Sequence, residues 1–246
     1  MLARSPAMAN FIVNSSLMVQ CVEMLGDRRC HLSIRCRIAL VMGAAARHAT
    51  FISAKLQGTK VLEVLRAGSR AKNARLRRRC MGVLGELLFY ISTQDPEDAV
   101  ASTGQPAAAD NLWSMPGWAI PVLYKGLGCG DEVKRHYAAK TLENVLAQSV
   151  KFGPKFATQD MGNALLDLTL RTRNQTMRET AASALTHLLR RSPGLRGLVL
   201  GRGGDGLRFM TDGIRSTRPI IQRVRVLLLL LLLLLLLLLQ TTPVRR

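Results

Sequence analysis

DEVKRHYAAKTLENVLAQ, residues 131–148, reads as one amphipathic helix whose context decides the fold. Ala138, Leu142 and Val145 are spaced by four and three residues, one stripe at 3.6 residues per turn. Ala139 widens the stripe, while Glu132, Lys134 and Arg135 fall near an exposed start. A single helix cannot bury such a face, so what matters is whether the pattern has neighbours.

The pattern recurs. A small-apolar pair appears as Ile38-Ala39, Cys80-Met81, Ala138-Ala139 and Ala181-Ala182, followed at one offset by Met42, Leu84, Leu142 and Leu185. The next turn supplies Ala45-Ala46, Leu87-Leu88, Val145-Leu146 and Leu188-Leu189. The intervals are 42, 58 and 43 residues, and the long one contains TQDPEDAVASTGQPAAADN, residues 93–111, an acidic, Pro- and Ala-rich stretch without helical periodicity. The long interval is about fifteen residues in excess; with that excess read as a flexible loop inserted in this stretch, the period is about 43, inside the ~40–47 residues of HEAT and armadillo repeats. Shorter apolar segments at 16–25, 59–67, 117–127 and 161–170 have the length of the partner helix in each unit. Pro116 and Pro154 serve as start signals, and Asp131 and Asn174 stand at N-cap positions.

These features predict an all-α, right-handed armadillo/HEAT-type solenoid of four to five repeats. Residues 1–13 form a lead-in, 14–225 the repeats and 226–246 a low-complexity tail. Ile38, Ala39, Cys80, Met81, Leu84, Ala138, Ala139, Leu142, Ala181, Ala182 and Leu185 form the expected repeat core. Composition agrees: 48% of the residues are hydrophobic but only 4% aromatic, the balance of helical rather than strand packing.

One stretch argues otherwise. GLVLGRGGDGLRF, residues 197–209, contains G-x-G-x-x-G at Gly201, Gly203 and Gly206, the outline of a nucleotide loop. A dinucleotide fold also needs a second strand and an acid about twenty residues on, and neither follows. A kinase loop wants Val where Arg208 stands, and V-A-I-K, H-R-D and D-F-G are missing from the chain. The glycines therefore read as a helix–helix turn. His31, His48, His136 and His187 accompany no nucleophile or metal spacing, and the five cysteines (Cys21, Cys30, Cys36, Cys80, Cys129) read as free thiols of a reducing compartment. No cofactor is expected.

Leu227 to Leu239 are thirteen consecutive leucines after Val226. As a helix these fourteen residues reach ~21 Å, short of the ~30 Å of a bilayer core, so no transmembrane span is expected. The run reads as a gene-model or frameshift extension, with a membrane-associated tail as the alternative. No signal peptide is readable, so a cytoplasmic location is expected.

The formal net charge is +19, a surface that attracts polyanions such as nucleic acid, anionic lipid or the acidic face of a filament. Arg66, Arg70, Lys72, Arg75, Arg77, Arg78 and Arg79 concentrate it without a local acid, and Arg75, Arg78 and Arg79 fall on one helical face. Aromatic residues do not interleave, so backbone contact rather than base stacking is the expected mode.

CMGVLGELLFYISTQ (80–94), DEVKRHYAAKTLENVLAQ (131–148) and ALTHLLRRSPGLRGLVL (184–200) together resemble the helical-repeat tail of the Fused-related unc-51-like kinases, in the ULK-four/RUNKEL branch. There L-G-E-L-L-F/Y precedes a Trp-containing loop, then an A-A-K-x-x-E-N helix, then a helix ending in R-x-S-P; Trp113 and Trp118 stand where that loop would be. The resemblance spans roughly residues 14–225. It implies a non-catalytic protein-interaction scaffold linked to microtubules, cilia or flagella, or cell division, because the family's kinase or pseudokinase domain lies outside the matched region. It transfers no site residue. The competing function is a basic repeat protein that binds nucleic acid or another polyanion.

Overall fold

A computed structural model describes residues 5–94, 113–148, 152–201, 203–214 and 226. Every regular element among them is helical. In order they are α1 (Pro6–Val13), α2 (Ser16–Gly26), α3 (Leu32–His48), α4 (Ala54–Gly58), α5 (Val61–Gly68) and α6 (Ala74–Thr93), then α7 (Ala119–Leu127) and α8 (Glu132–Gln148). Next come α9 (Gly153–Phe156), α10 (Gln159–Arg171), α11 (Gln175–Arg191), a 3-10 turn (Pro193–Leu195), α12 (Arg196–Leu200) and α13 (Gly204–Ile214). The chain divides into two compact units, Met1–Thr141 and Leu142–Arg246, and the division falls within α8.

The long helices α3, α6, α8 and α11 carry the four small-apolar pairs, and every predicted core residue is buried, from Ile38 at 8% exposure to Ala138, Ala139, Cys80 and Leu185 at 0%. The partner helices are α2, α5, α7 and α10. A short first helix stands before three of them: α1, α4 and α9. Three helices per unit is the armadillo form of this repeat. The short helices escaped sequence reading because four to eight residues are too few to show a period. Residues 6–13, within the stretch read from sequence as a lead-in, form α1 and pack on α3.

Each long helix starts in one way. His31, Asn73, Asp131 and Asn174 all lie seven residues before the small pair. Asn73 accepts from the Leu76 amide at 3.0 Å, Asp131 from Lys134 at 3.2 Å, Asn174 from Met177 at 3.0 Å and His31 Nδ1 from Ser33 at 3.3 Å. Each bond satisfies an amide that the first turn leaves without a helical acceptor. The small pairs serve close approach. A Cβ at Gly126 of α7 would lie 2.8 Å from the Ala138 Cβ, and one at Gly68 of α5 would collide with the Cys80 thiol.

In the second unit α10 packs on α11, and Met161, Leu165 and Leu166 of α10 are buried. Leu198-Val199-Leu200 are helical, Gly201 follows α12, and Gly203 takes a left-handed φ of 54° that favours glycine. Gly201 and Gly203 thus lie in the turn between α12 and α13, and Gly206 lies in the first turn of α13. Pro154 stands in the first turn of α9, a position that starts a helix, and α7 starts at Ala119, two residues past Gly117. No single helix among the described residues is long and apolar enough to cross a membrane; α1 and α2 meet the length and composition only as a pair bent by 61°. Most of the predicted acidic loop, residues 215–225 and the leucine run lie outside the described residues.

Candidate interaction surface

Asp131, the residue that caps α8, organises the basic stretch. Its carboxylate accepts from Arg77 Nη2 at 3.0 Å and from Arg78 Nε at 2.8 Å, besides the Lys134 amide. The Asp131 side chain is only 8% exposed, against 26% for Arg77 and 44% for Arg78. Burial would raise its pKa, but the Lys134 amide and the two guanidinium groups outweigh that and hold the carboxyl below the usual carboxylate range. Arg77, Arg78, Cys129, Gly130, Asp131 and Lys134 line one open depression here.

The seven predicted cations do not form one face. Arg79 reaches back to the Cys36 carbonyl of α3, whereas Arg78 reaches forward to Asp131. Arg66 lies 4.9 Å from the centre of the Trp118 ring, a cation–π contact. Arg70, Lys72 and Arg75 are exposed and enter no ion pair among the described residues. Sequence proximity missed the split because Asp131, the acid that draws Arg77 and Arg78, is more than fifty residues away in the chain.

Arg77 also has a structural task. It donates to the carbonyls of Ala71 and Lys72 at 3.1 Å, Arg178 donates to Thr172 at 3.0 Å, and Arg35 donates to Leu25 at 2.9 Å. Arg35, Arg77, Arg135 and Arg178 all stand three residues before the small pair. In three repeats, then, a guanidinium on the long helix ties down carbonyls of the preceding segment, where a cation suits unpaired helix-end acceptors. The signal was available in sequence as an arginine at one register position in all four repeats.

What remains for a ligand is a rim of Arg70, Lys72, Arg75, the exposed side of Arg78, and Lys134. These groups can hold anionic groups by surface contact, with Asp131 occupying the inner guanidinium donors. On the second unit, His187 is a buried polar contrast: its Nδ1 lies 3.2 Å from Arg190 Nη2, and Arg191 donates to the carbonyls of Leu146 and Ala147. Cys80, enclosed between α5 and α6, has its thiol pushed up to about 12 by burial, which leaves it an unreactive core group.

No family model matches the chain. The serine/threonine-protein kinase RUNKEL of Arabidopsis thaliana is 32% identical over 195 residues, 75% of this chain and 14% of that protein. The serine/threonine-protein kinase ULK4 of Mus musculus is 29% identical over 163 residues, 65% of this chain and 12% of that protein. The chain therefore spans a small fraction of either relative. Among solved structures, a designed armadillo repeat protein superposes with a TM-score of 0.67 at 13% identity, over 94% of this chain and 89% of that one. Another, in complex with the peptide (KR)4, gives 0.65 at 12% identity over 93% and 87%. These likenesses identify an all-α, armadillo/HEAT-type repeat fold.

Proposed function

We propose that this homologue of the helical-repeat segment of the RUNKEL and ULK4 kinases works as a non-catalytic scaffold that binds an acidic protein partner along its basic rim. The observation that carries the reading is the set of Arg70, Lys72 and Arg75, exposed and in no ion pair among the described residues, on an armadillo-type stack. A similar fold was solved holding a basic peptide; the charge here, formally +19, favours a partner of opposite sign. Kinase signature sequences do not occur in these 246 residues, and the part shared with the kinases is helical repeat. The resemblance to the unc-51-like kinase family implies microtubule, cilium or flagellum, or cell-division machinery as the setting we propose, and the cytoplasm or cytoskeleton as the place.

Co-sedimentation with microtubules at low and high salt tests the partner. The chain should pellet at low salt, and Arg70→Glu, Lys72→Glu and Arg75→Glu together should weaken binding at least about tenfold by reversing the rim charge. Equal pelleting of the variant rules out the rim. A nucleic-acid partner is the second reading, favoured by the same unpaired cations. It requires affinity for mixed-sequence duplex DNA that falls steeply with salt, as counterion release demands.

A further inference from the structure

We infer that one face of α3, the stripe Ile34, Arg37, Val41, Ala44 and His48, is a docking surface for a further armadillo-type helical repeat. The argument comes from the same register in the next repeat. In α6 the equivalent residues are Leu76, Arg79, Val83, Glu86 and Tyr90, each forty-two positions on. Four of them reach back to the first repeat. Arg79 donates to the Cys36 carbonyl, and Val83 is the residue a Cβ on Gly43 would meet at 3.3 Å. Glu86 accepts from Arg47 Nε at 2.8 Å, and the Tyr90 hydroxyl accepts from the Ile52 amide at 2.8 Å. Leu76, Val83 and Tyr90 are accordingly buried, at 1%, 3% and 9% exposure.

The next junction repeats the rule. On α8, Tyr137 and Thr141 occupy the positions of Arg79 and Val83. Tyr137 lies against Gly82, and Thr141 against Gly85, with no room for a Cβ at Gly85. Twice, therefore, this stripe of a long helix packs on the preceding long helix, and the residue at the Val83 position packs onto a glycine there. In α3 the same stripe is open: Ile34 is 42% exposed and Val41 52%, with Leu40 beside them at 56%. Apolar groups that their register equivalents bury are here left in water, which is the mark of an interaction site.

The stripe also specifies its occupant. Val41 asks for a glycine or similarly small residue on a long helix, and Arg37 for a backbone carbonyl near that helix's start, as Cys36 offers Arg79. A repeat of this chain's own kind has both. The matched relatives are several times longer than this chain, so more chain than these residues accompanies the shared segment in them.

Two measurements test the inference on the full chain. First, Val41→Glu should leave the thermal midpoint within about 1 °C, whereas Val83→Glu, at the equivalent buried position, should lower it by more than about 5 °C. Equal losses overturn the inference, because the α3 face would then already be covered. So would a dimer of the unaltered chain that Val41→Glu dissociates, because the occupant would be a second copy. Second, a duplicate of residues 5–53 placed ahead of Ser5 presents its own Gly43 to Val41. Amide exchange around Val41 should slow by about tenfold or more, and Val41→Glu in the recipient repeat should abolish the slowing. Unchanged exchange in the folded, extended chain overturns the assignment of the occupant.

Discussion

His187 shows how one position can set a stability profile. It lies on α11 at 7% exposure; burial, then Arg190, pushes its imidazole down from 6.5 to about 4, with Arg191 adding to the effect and Glu143 opposing it. The unfolded chain takes up that proton near the ordinary value, the folded chain only near 4, so between these pH values the unfolded state binds more protons. Stability from this group is therefore complete above pH 6.5 and drains away as pH falls towards 4, with a slope of up to ~1.4 kcal/mol per pH unit. His187→Gln should flatten that part of the profile in denaturant titrations at successive pH values; an unchanged slope would refute the account. Gly126 works through size instead. Because Ala138 offers no flexible group to move aside, Gly126→Ala should cost roughly 1–3 kcal/mol. At Gly58, where a Cβ meets nothing within 4 Å, the same change should be neutral or mildly stabilising. Thermal midpoints of the two variants compare them directly.

At the scale of the helix, the four long elements begin on a side-chain acceptor and continue into a buried pair seven residues later. Asn174→Ala should therefore cost about 1 kcal/mol, and Asn174→Asp should retain most of it, since either an amide or a carboxylate oxygen can accept the Met177 amide. Urea unfolding curves monitored by helix signal will tell; equal losses in both variants would mean that the cap bond contributes nothing. The long helices and their partners were legible in sequence because Leu, Ala and Met recur on stripes long enough to show a 3.6-residue period. The short helices α1, α4 and α9 were not. Asp131 was legible as a cap but not as the acceptor for Arg77 and Arg78, because a periodicity places residues on faces and does not pair faces that are distant in sequence. Arg79 illustrates the same limit: its neighbours in sequence suggested a shared basic face, while its carbonyl partner on α3 lies in another repeat.

At the scale of the molecule, contacts in each unit join near neighbours in sequence: α3 with α6, α5 with α6, and α10 with α11. A stack built from such junctions has a stability close to the sum of its repeats and their interfaces, so damage to one repeat is felt most strongly by its neighbours. Leu65 of α5 and Leu185 of α11 are each 0% exposed, and truncating a buried leucine costs about 2–5 kcal/mol. Leu65→Ala should thus raise amide exchange in α3, α5 and α6 while leaving α10 and α11 near their original protection, and Leu185→Ala should do the reverse. Both substitutions are similar in chemistry and burial, so the pair separates location from severity. If either variant speeds exchange equally in all these helices, the chain opens as one cooperative body, and the near-neighbour picture is wrong. If the two patterns are complementary, the repeats transmit strain chiefly to the helices they touch.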